Sequence, residues 1–570
     1  MIRNCIHSSS RKEITINKVI DENYFDLIID NILAEQLKKD DNVTRINERN
    51  SINHVSVSDF RMCILDTYPY RMFPKIYTLN STISLEKSGV FNVRNFTNLP
   101  LYGQGILMAF IDTGIDYQHQ AFRNTDGTSR IYSIWDQTIE NGPPPAGFTF
   151  GTEYSKNLLN YALKQSNPYS SVPSTDNNGH GTMLAGIAAG NPNKIEDFSG
   201  IATSAELIVV KLKQAKRYSR RIFSVPDNIE CYQESDIMFG IEYVRSVAAK
   251  INKPLIICIG MGSSQGSHDG SGTLSLLINN LSITPRIGIS VAAGNEGNSY
   301  RHYKGEVTEN NFKTQFHLNV SEQDKMFSLE IWQGLPFRLA VTITSPSGEK
   351  TTLVSPGLNE CREFDFNLDS SILYISNINF EEETGNQLIL IRFENAKSGI
   401  WTIELVSLEK RAITFHAWLP SGNLISTETY FFEPDPNITI TSPGNAENTV
   451  TVTAYNQNND NIITDSSRGF TLSTVVKPDI AAPGYQLTCP TLQNSYGSAT
   501  GTGAAAAHTA GIMALIMEWA ALKGNYTTIT GRNIGGLLNR GASRNPNMVY
   551  PNPIWGYGKL DLYGLFRQLT

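Results

Sequence analysis

The sequence predicts an α/β fold, in which helices cover both faces of a parallel sheet, with an inserted all-β domain and a small N-terminal α/β unit. Three observations support this prediction. Continuous apolar runs of strand length recur from about residue 106, helix-like segments separate them, and a block between 305 and 435 contains only short alternating segments. Continuous apolar strands joined by helices are typical of a parallel sheet, and short alternating strands are typical of a β-sandwich.

Residues 1–80 are expected to form the N-terminal unit. This stretch is polar and rich in Asn, Asp and Ile, with short apolar runs between Tyr24 and Leu33, and it ends in the aromatic, Pro-rich segment YPYRMFPKIY. Its texture differs from that of the chain beyond about residue 100, where buried strands begin to alternate with helices. The difference predicts a boundary near residue 80.

The predicted core is one α/β domain in two parts, 81–304 and 436–570, with the β domain 305–435 inserted between them. The first part contains one clear amphipathic helix, Asp236 to Lys250, with Asp236 as the expected N-cap. The second part contains a long Ala-rich helix from about Gly503 to Lys523. Four continuous apolar runs predict its buried strands: Ile106–Ile111, Leu207–Val210, Leu255–Ile259 and Ile287–Ala293.

Composition limits the classes of function. The 570 residues include 54 acidic and 47 basic side chains, a formal charge of −7 that argues against a nucleic-acid binder held by bulk charge. The six cysteines lie far apart without metal-type spacing, so we expect reduced thiols, no metal site and no cofactor. The N-terminus lacks an apolar signal region and no 18-residue apolar run occurs, so we expect a soluble intracellular protein without a membrane span.

Four segments combine glycine with a chemically useful residue near the end of a strand or the start of a helix. Asp112 lies in AFIDTGID, His180 in NNGHGTMLAGIAAG, Asn295 in VAAGNEG, and Gly503 in GTGAAAAHTAG. Functional groups of open α/β sheets collect at the carboxyl ends of the strands. We therefore expect the four segments to meet at one edge of the sheet.

In this order, the segments resemble those of the subtilisin-like serine proteases (peptidase S8). KPDIAAPG (477–484) and WGYGKLDLYGL (555–565) resemble two further motifs of that family. The resemblance implies that Asp112 orients His180, that His180 acts as the base, and that Asn295 donates to the oxyanion. It also implies that Gly260, Met261 and Gly262 line the substrate, where the family has Ser-Leu-Gly, so Gly260 is a departure from the pattern.

A second departure concerns the nucleophile. The Gly-Thr-Ser of the family reads Gly501-Thr502-Gly503 here, and without a serine Oγ no acyl-enzyme can form in the usual way. Two other hydroxyls are candidates, Thr502 and Ser498, but neighbouring side chains on a helix point about 100° apart, so the Thr502 hydroxyl should miss His180. Water activated by His180 is a third, slow route. We expect the site to bind an extended peptide better than it cuts one.

Three other features receive structural interpretations. His119 and His508 are expected to be structural histidines. The basic run KLKQAKRYSRR (211–221) has six cations and no acid. It is expected to be a solvated loop, with contact to an acidic partner as the alternative.

The inserted β domain, expected to be a jelly-roll, the N-terminal prodomain and SQGSHDG (264–270) resemble the Csp germination proteases and pseudoproteases of clostridial spores. In that group, active members cleave the pro-form of a cortex-lytic enzyme, and others signal without cutting. In the active members the prodomain is an intramolecular chaperone that is cut autocatalytically and stays bound.

The resemblance predicts a spore pseudoprotease that regulates germination through other germination proteins. Residues 1 to about 80 would then remain covalently attached in the substrate groove. Two alternatives stay open: an active Csp-type endopeptidase recorded with an inactivated nucleophile, and a binding module that acts through the β insertion.

Overall fold

In this computed structural model, residues 17–37, 42–84, 101–358 and 360–569 are described. Cys5 and the rest of the first 16 residues of the expected N-terminal unit lie outside these ranges. The described part of the unit is an antiparallel sheet in the order β1-β3-β2 with one short helix. Its elements are β1 (Tyr24–Asp30), α1 (Asn31–Leu37), β2 (Val43–Arg45) and β3 (Asn50–Ser56).

Two further strands, β4 (Ile76–Leu79) and β5 (Thr82–Ser84), follow this unit but pair with strands of the core. The end of the N-terminal segment is therefore part of the core's own sheets.

The predicted α/β core is confirmed. Its large sheet runs β25-β24-β13-β11-β6-β9-β7-β8, and β26 also pairs with β24. The pairs between β24 and β7 are parallel, and the edge strands β25 and β8 are antiparallel. The strands of the first part of the core are β6 (Leu107–Asp112), β7 (Ile131–Asp136), β8 (Thr152–Ser155), β9 (Glu206–Lys211), β10 (Tyr232–Gln233), β11 (Leu255–Ile259), β12 (Met261–Gly262) and β13 (Ile287–Ala292).

The second part of the core supplies five strands: β24 (Val450–Asn456), β25 (Asn461–Ile462), β26 (Ile480–Pro483), β27 (Leu487–Thr491) and β28 (Ser495–Thr500). The core helices are α2 (Lys156–Ala162), α3 (His180–Ala189), α4 (Arg217–Ile222), α5 (Glu234–Lys250), α6 (Thr273–Ser282), α7 (Thr502–Met517), α8 (Gly531–Gly541) and α9 (Leu562–Leu569).

Helices cover both faces of the sheet, which explains why its strands are apolar throughout. Along β6, Met108 and Phe110 pack in the layer that contains α3 and α7, while Leu107, Ala109 and Ile111 pack in the layer that contains α5 and α6. Successive side chains of a strand point to opposite faces. A strand buried on both faces therefore reads as a continuous apolar run.

Helix α7 is buried along its whole length and continues through a π-helical turn, Glu518–Leu522. The combined segment Thr502–Leu522 is long and apolar enough to cross a membrane, but 83% of its most apolar window is buried inside the protein. The central helix of a packed domain passes the same test, so this segment is weak support for a membrane span.

The inserted domain consists of two antiparallel sheets that enclose their own apolar core. One sheet has the order β14-β22-β16-β20-β19-β18, and the other has the order β17-β21-β15-β23. The strands are β14 (His302–Val307), β15 (Lys313–Val320), β16 (Met326–Gln333), β17 (Leu339–Thr344), β18 (Cys361–Phe366), β19 (Ser371–Ile378), β20 (Gln387–Glu394), β21 (Gly399–Ser407), β22 (Ile413–Trp418) and β23 (Tyr430–Phe431).

The expectation of reduced thiols is wrong for one pair of cysteines. Cys63 and Cys361 form a disulfide that joins the N-terminal segment to the inserted domain across 298 residues of sequence. Cysteine spacing predicts pairs within local frameworks, whereas this pair is created by the packing of two domains. Three other cysteines, Cys231, Cys258 and Cys489, are free and buried.

The expected N-cap of helix α5 is also corrected. The helix begins at Glu234, so Asp236 lies in its first turn, where its buried carboxylate contacts Lys213 Nζ at 2.7 Å. Burial raises the pKa of Asp236 to about 6, in spite of the opposing effect of Lys213.

The basic run 211–221 is not a solvated loop. Lys213, Lys216 and Arg220 are buried, and Arg217–Ile222 forms helix α4. Lys216 Nζ lies 2.9 Å from Asp26 Oδ1 and donates to Lys18 O at 2.7 Å, so its acidic partner belongs to the N-terminal unit of the same chain. A charge run looks solvated in sequence when its counter-charges are distant along the chain.

Asp26 should make the attachment of the N-terminal unit pH-dependent. Burial alone would raise its pKa, but Lys216 and the hydrogen bond with His54 outweigh burial, and the net pKa lies below the ordinary value of 3.8. This stabilisation is present above the ordinary pKa and is lost as the pH falls from that value towards the lowered one. Asp26→Asn should cost about 3–5 kcal/mol near pH 7, because Lys216 would stay buried without a counter-charge.

The measurement is urea unfolding of both forms at neutral pH and below pH 4, where the difference should shrink. Asp59→Asn, at an exposed position of the same unit, is the matched control and should change stability by no more than about 0.5 kcal/mol. Equal stability of the two variants at neutral pH would contradict the claim that the buried Asp26–Lys216 pair stabilises the fold.

Candidate active site

A groove between two strands of the core is occupied by the chain's own segment. Strand β4 lies between β10 and β12 and pairs antiparallel with both. Leu79 is opposite Met261, Thr78 is opposite Gly262, and Asn80 N donates to Gly260 O at 2.9 Å. An extended segment that completes a sheet between two strands is held mainly by backbone hydrogen bonds, as in peptide recognition by β-augmentation.

Asp112 and His180 meet where a strand ends and a helix begins. Asp112 is the last residue of β6, and His180 is the first residue of α3, after Gly179 with a φ of 93°. His180 Nδ1 lies 2.8 Å from Asp112 Oδ1, and both side chains are buried. Because a carboxylate can only accept, Nδ1 donates in this contact, and in the neutral ring Nε2 is then the acceptor.

Asn295 and Gly503 bind one carbonyl oxygen from two directions. Asn80 O accepts from Asn295 Nδ2 at 2.7 Å and from Gly503 N at 3.0 Å. The amide of Asn295 is oriented by Thr502, whose backbone N donates to Asn295 Oδ1 at 3.1 Å and whose hydroxyl donates to it at 3.0 Å. Two donors aimed at one carbonyl oxygen have the geometry of an oxyanion hole.

The space beside Gly503 is filled by another residue's hydroxyl. Ser81 Oγ lies 3.1 Å from His180 Nε2, and since Nε2 is the acceptor, the serine hydroxyl donates. A Cβ built on Gly503 would lie 2.3 Å from Ser81 Oγ and 3.4 Å from the carbonyl carbon of Asn80. The Asn80–Ser81 peptide bond therefore lies where a subtilisin-like nucleophile would attack.

Sequence reasoning did not single out Asn80 or Ser81. Their only signal is position, since they directly follow the short apolar segment Ile76–Leu79 at the end of the expected N-terminal unit. Their contacts with Asn295 and Gly503 join residues more than two hundred positions apart. A serine in a linker gives no indication of such contacts.

The three residues expected to line the substrate lie against the bound segment. A Cβ on Gly260 would lie 2.5 Å from Leu184 Cδ1 and 3.1 Å from His180 Cε1, so the Ser of the family pattern would crowd both neighbours. A Cβ on Gly262 would lie 2.8 Å from Asn80 Nδ2, which places the Asn80 side chain beside β12. Met261 is buried and contributes to the apolar layer below the groove.

These elements agree with the comparison with known proteins. Residues 103–362 and 421–558 match the subtilase family (peptidase S8), which is more than half of the chain. The protein belongs to the subtilase family. This subtilase is also similar in structure to the CspB protease of Clostridium perfringens, with a TM-score of 0.74, 29% sequence identity and coverage of 84% of this chain and 95% of that one. The Csp resemblance is therefore confirmed.

More distant relatives include the minor extracellular protease Vpr of Bacillus subtilis and a C5a peptidase of Streptococcus pyogenes. Each is 22% identical to this subtilase over a match that covers 73% of this chain. The match covers 46% of the length of Vpr and 34% of the length of the C5a peptidase. The chain thus spans about a third to a half of the length of these relatives.

The Thr502 and Ser498 hydroxyls, the two alternative nucleophiles, make other contacts. The Thr502 hydroxyl donates to Asn295 Oδ1 and accepts from Gly294 N at 3.1 Å. Ser498 is buried in β28, opposite Thr488 and Ser84 in the neighbouring strands. Thr502 therefore orients an oxyanion donor, and Ser498 is part of a sheet.

The other two histidines that the sequence analysis singled out, His119 and His508, are buried. His119 Nε2 contacts Ser495 O at 2.9 Å, and burial lowers the pKa of His119. His508 is enclosed in α7, where burial lowers its pKa to about 4. In the part of the chain that the structure describes, no group of three or more His, Cys, Asp or Glu side chains could hold a metal ion.

The contact between positions 503 and 81 can be tested by a double-mutant cycle. In Gly503→Ala the new Cβ should force the Ser81 hydroxyl to rotate away from His180, whereas Ser81→Gly removes the conflict in advance. The two changes should therefore be coupled by about 1 kcal/mol in thermal or urea unfolding, within the usual range for contacting residues. Strictly additive effects would show that Ser81 does not occupy the space beside residue 503.

Proposed function

We propose that this subtilase binds extended peptide without turning over other proteins, and that it regulates spore germination by binding. The observation that carries the proposal is the residue at 503. Asp112, His180 and Asn295 are arranged around a bound peptide, but Gly503 places no hydroxyl between the base and the carbonyl carbon. The groove has the parts that bind and polarise a peptide bond and lacks the enzyme's own nucleophile.

The size of the rate loss that follows from a missing serine nucleophile supports a binding role. In subtilisin, loss of the serine alone costs roughly 2 × 10⁶ in kcat, or roughly 8–9 kcal/mol of transition-state stabilisation. The oxyanion donors and substrate binding alone leave only a residual acceleration of about 10³–10⁴ over water. An enzyme with this residual rate would not process a partner protein on a biological timescale.

Retention of the N-terminal segment in the groove supports regulation by binding. Strand β4 fills the groove, Lys216 is paired with buried Asp26, and a disulfide joins Cys63 to Cys361. A partner peptide that uses this groove must first displace β4. Access to the groove is therefore the step that a germination partner would control.

The germination role and a location in the spore are proposed from the resemblance to the Csp germination proteases, a group that the structural similarity to the CspB protease supports. The second candidate is an active endopeptidase of the Csp type whose serine has been replaced. The intact geometry of Asp112, His180 and Asn295 favours that candidate. The two candidates differ in whether the native residue at 503 is glycine.

The first test measures cleavage of other proteins. The purified full chain should release no more fragments from an unfolded protein substrate than its His180→Ala variant does, because neither has a nucleophile for an external peptide bond. The readout is fragment mass over time at excess substrate. Multiple turnovers that depend on His180 would refute the proposal.

The second test restores the nucleophile. In Gly503→Ser/Ser81→Ala the new Oγ has room beside His180, so the chain should cut itself after Asn80, which mass spectrometry would detect. The matched control, Gly503→Ala/Ser81→Ala, differs by one oxygen atom and should stay intact. An uncut serine variant would contradict the claim that Asp112, His180 and Asn295 remain placed for chemistry.

A further inference from the structure

Ser81 is placed to act as a nucleophile in its own chain. Its hydroxyl donates to His180 Nε2 over 3.1 Å, and His180 is in turn held by Asp112 at 2.8 Å. These are the contacts that a base needs in order to take a proton from a hydroxyl group. The same hydroxyl lies 2.3 Å from the site of the missing Cβ at residue 503.

The bond directly before Ser81 is the one that the site polarises. Asn80 O accepts hydrogen bonds from Asn295 Nδ2 and Gly503 N, so negative charge that develops on this oxygen would be stabilised. The Cβ position of residue 503 is 3.4 Å from the Asn80 carbonyl carbon. Ser81 Oγ thus lies beside the position from which a nucleophile at 503 would attack this carbonyl.

We propose that Ser81 cleaves the Asn80–Ser81 bond in cis by an N-to-O acyl shift followed by hydrolysis. This inference deepens the proposed function, because it rests on the same occupied groove. It also names the substrate, which is one peptide bond of this chain.

In the first step, Ser81 Oγ forms a bond to the Asn80 carbonyl carbon through a five-membered ring, and its proton passes to His180 Nε2. The carbonyl π electrons move to Asn80 O, where Asn295 and Gly503 N bind the charge. The carbon–nitrogen bond then breaks, and His180 returns the proton to the Ser81 nitrogen. The product is an ester between Asn80 and Ser81 Oγ, with a free amine on Ser81.

In the second step, water hydrolyses the ester. The water hydroxyl ends on the Asn80 carboxyl carbon, and the remaining hydrogen returns to Ser81 Oγ. One peptide bond and one water give one carboxyl group and one amine, without any other reactant.

This route gives Gly503 a positive role. Any side chain at 503 would begin with a Cβ 2.3 Å from Ser81 Oγ, and would push the hydroxyl away from His180. Glycine leaves room for the hydroxyl and still supplies the backbone N–H to Asn80 O. Gly503 and Ser81 together therefore replace a single serine.

The route acts once and only in cis. The nucleophile is covalently next to its target bond, so it cannot attack a separate protein. The Cys63–Cys361 disulfide and the pairing of β4 would hold the N-terminal fragment after the cut. Residues 1–80 would then no longer be part of the same peptide chain, but they would still be retained in the groove.

The test uses the purified full chain in neutral buffer, with and without hydroxylamine, which traps esters. Intact masses are measured after reduction, since the disulfide would otherwise hold the fragments together. The wild type should yield fragments that end at Asn80 and begin at Ser81. Hydroxylamine should accelerate the release and leave a hydroxamate on Asn80.

Four variants decide which residue is responsible. Cleavage should be lost in Ser81→Ala and His180→Ala, and kept in Ser81→Thr, which retains a hydroxyl. Ser498→Ala, a matched serine-to-alanine change in β28, should cut like the wild type. Melting temperatures show whether Ser81→Ala is folded. Cyclisation of the Asn80 side chain would also cut this bond but would survive Ser81→Ala.

An uncut wild-type chain without a hydroxylamine-sensitive bond would overturn the inference and leave the proposed function standing. Cleavage that persists in Ser81→Ala would overturn it as well. Turnover of an unfolded protein in trans would refute the proposed function instead, so the two failures are distinguishable.

Discussion

The antiparallel pairing of β4 between β10 and β12 is the constraint on which the site depends. Backbone hydrogen bonds fix the register of Ile76–Leu79, and this register brings the next carbonyl, that of Asn80, to Asn295 and Gly503 N. A shift of one residue would place a different carbonyl against Asn295 Nδ2 and Gly503 N and remove Ser81 from His180. Strand pairing therefore determines the chemistry that the site can perform.

Contacts outside the groove support that register. Tyr70 OH, in the N-terminal segment, donates at 2.7 Å to Glu330 Oε1 of the inserted domain, and Glu330 Oε2 accepts from Gly266 N of the core at 3.0 Å. Burial raises the pKa of Glu330, and the hydrogen bonds from Gly266 and Tyr70 oppose that rise. Together with the Cys63–Cys361 bond, this junction connects the three parts of the chain and braces the segment that enters the groove.

Much of the fold could be predicted because its signals are local. A strand such as β6, buried on both faces, is recognisable as an apolar run, and Asp112 at its end has a position in the sheet that follows from topology. The errors concern long-range pairs. Lys216 was predicted to be solvated because its partner Asp26 lies 190 residues away in the sequence. Cys63 was predicted to be a free thiol because its partner Cys361 lies 298 residues away.

The sequence by itself determined the subtilase fold, the order of Asp112, His180 and Asn295, and the absence of a side chain at Gly503. Only the tertiary structure decided what fills the space at that glycine. Ser81 has no sequence signal of its own, because its role comes from the register of β4 and from a contact with His180 across 99 residues. Local patterns specify elements and strand ends, whereas occupancy of a groove depends on how distant segments pack.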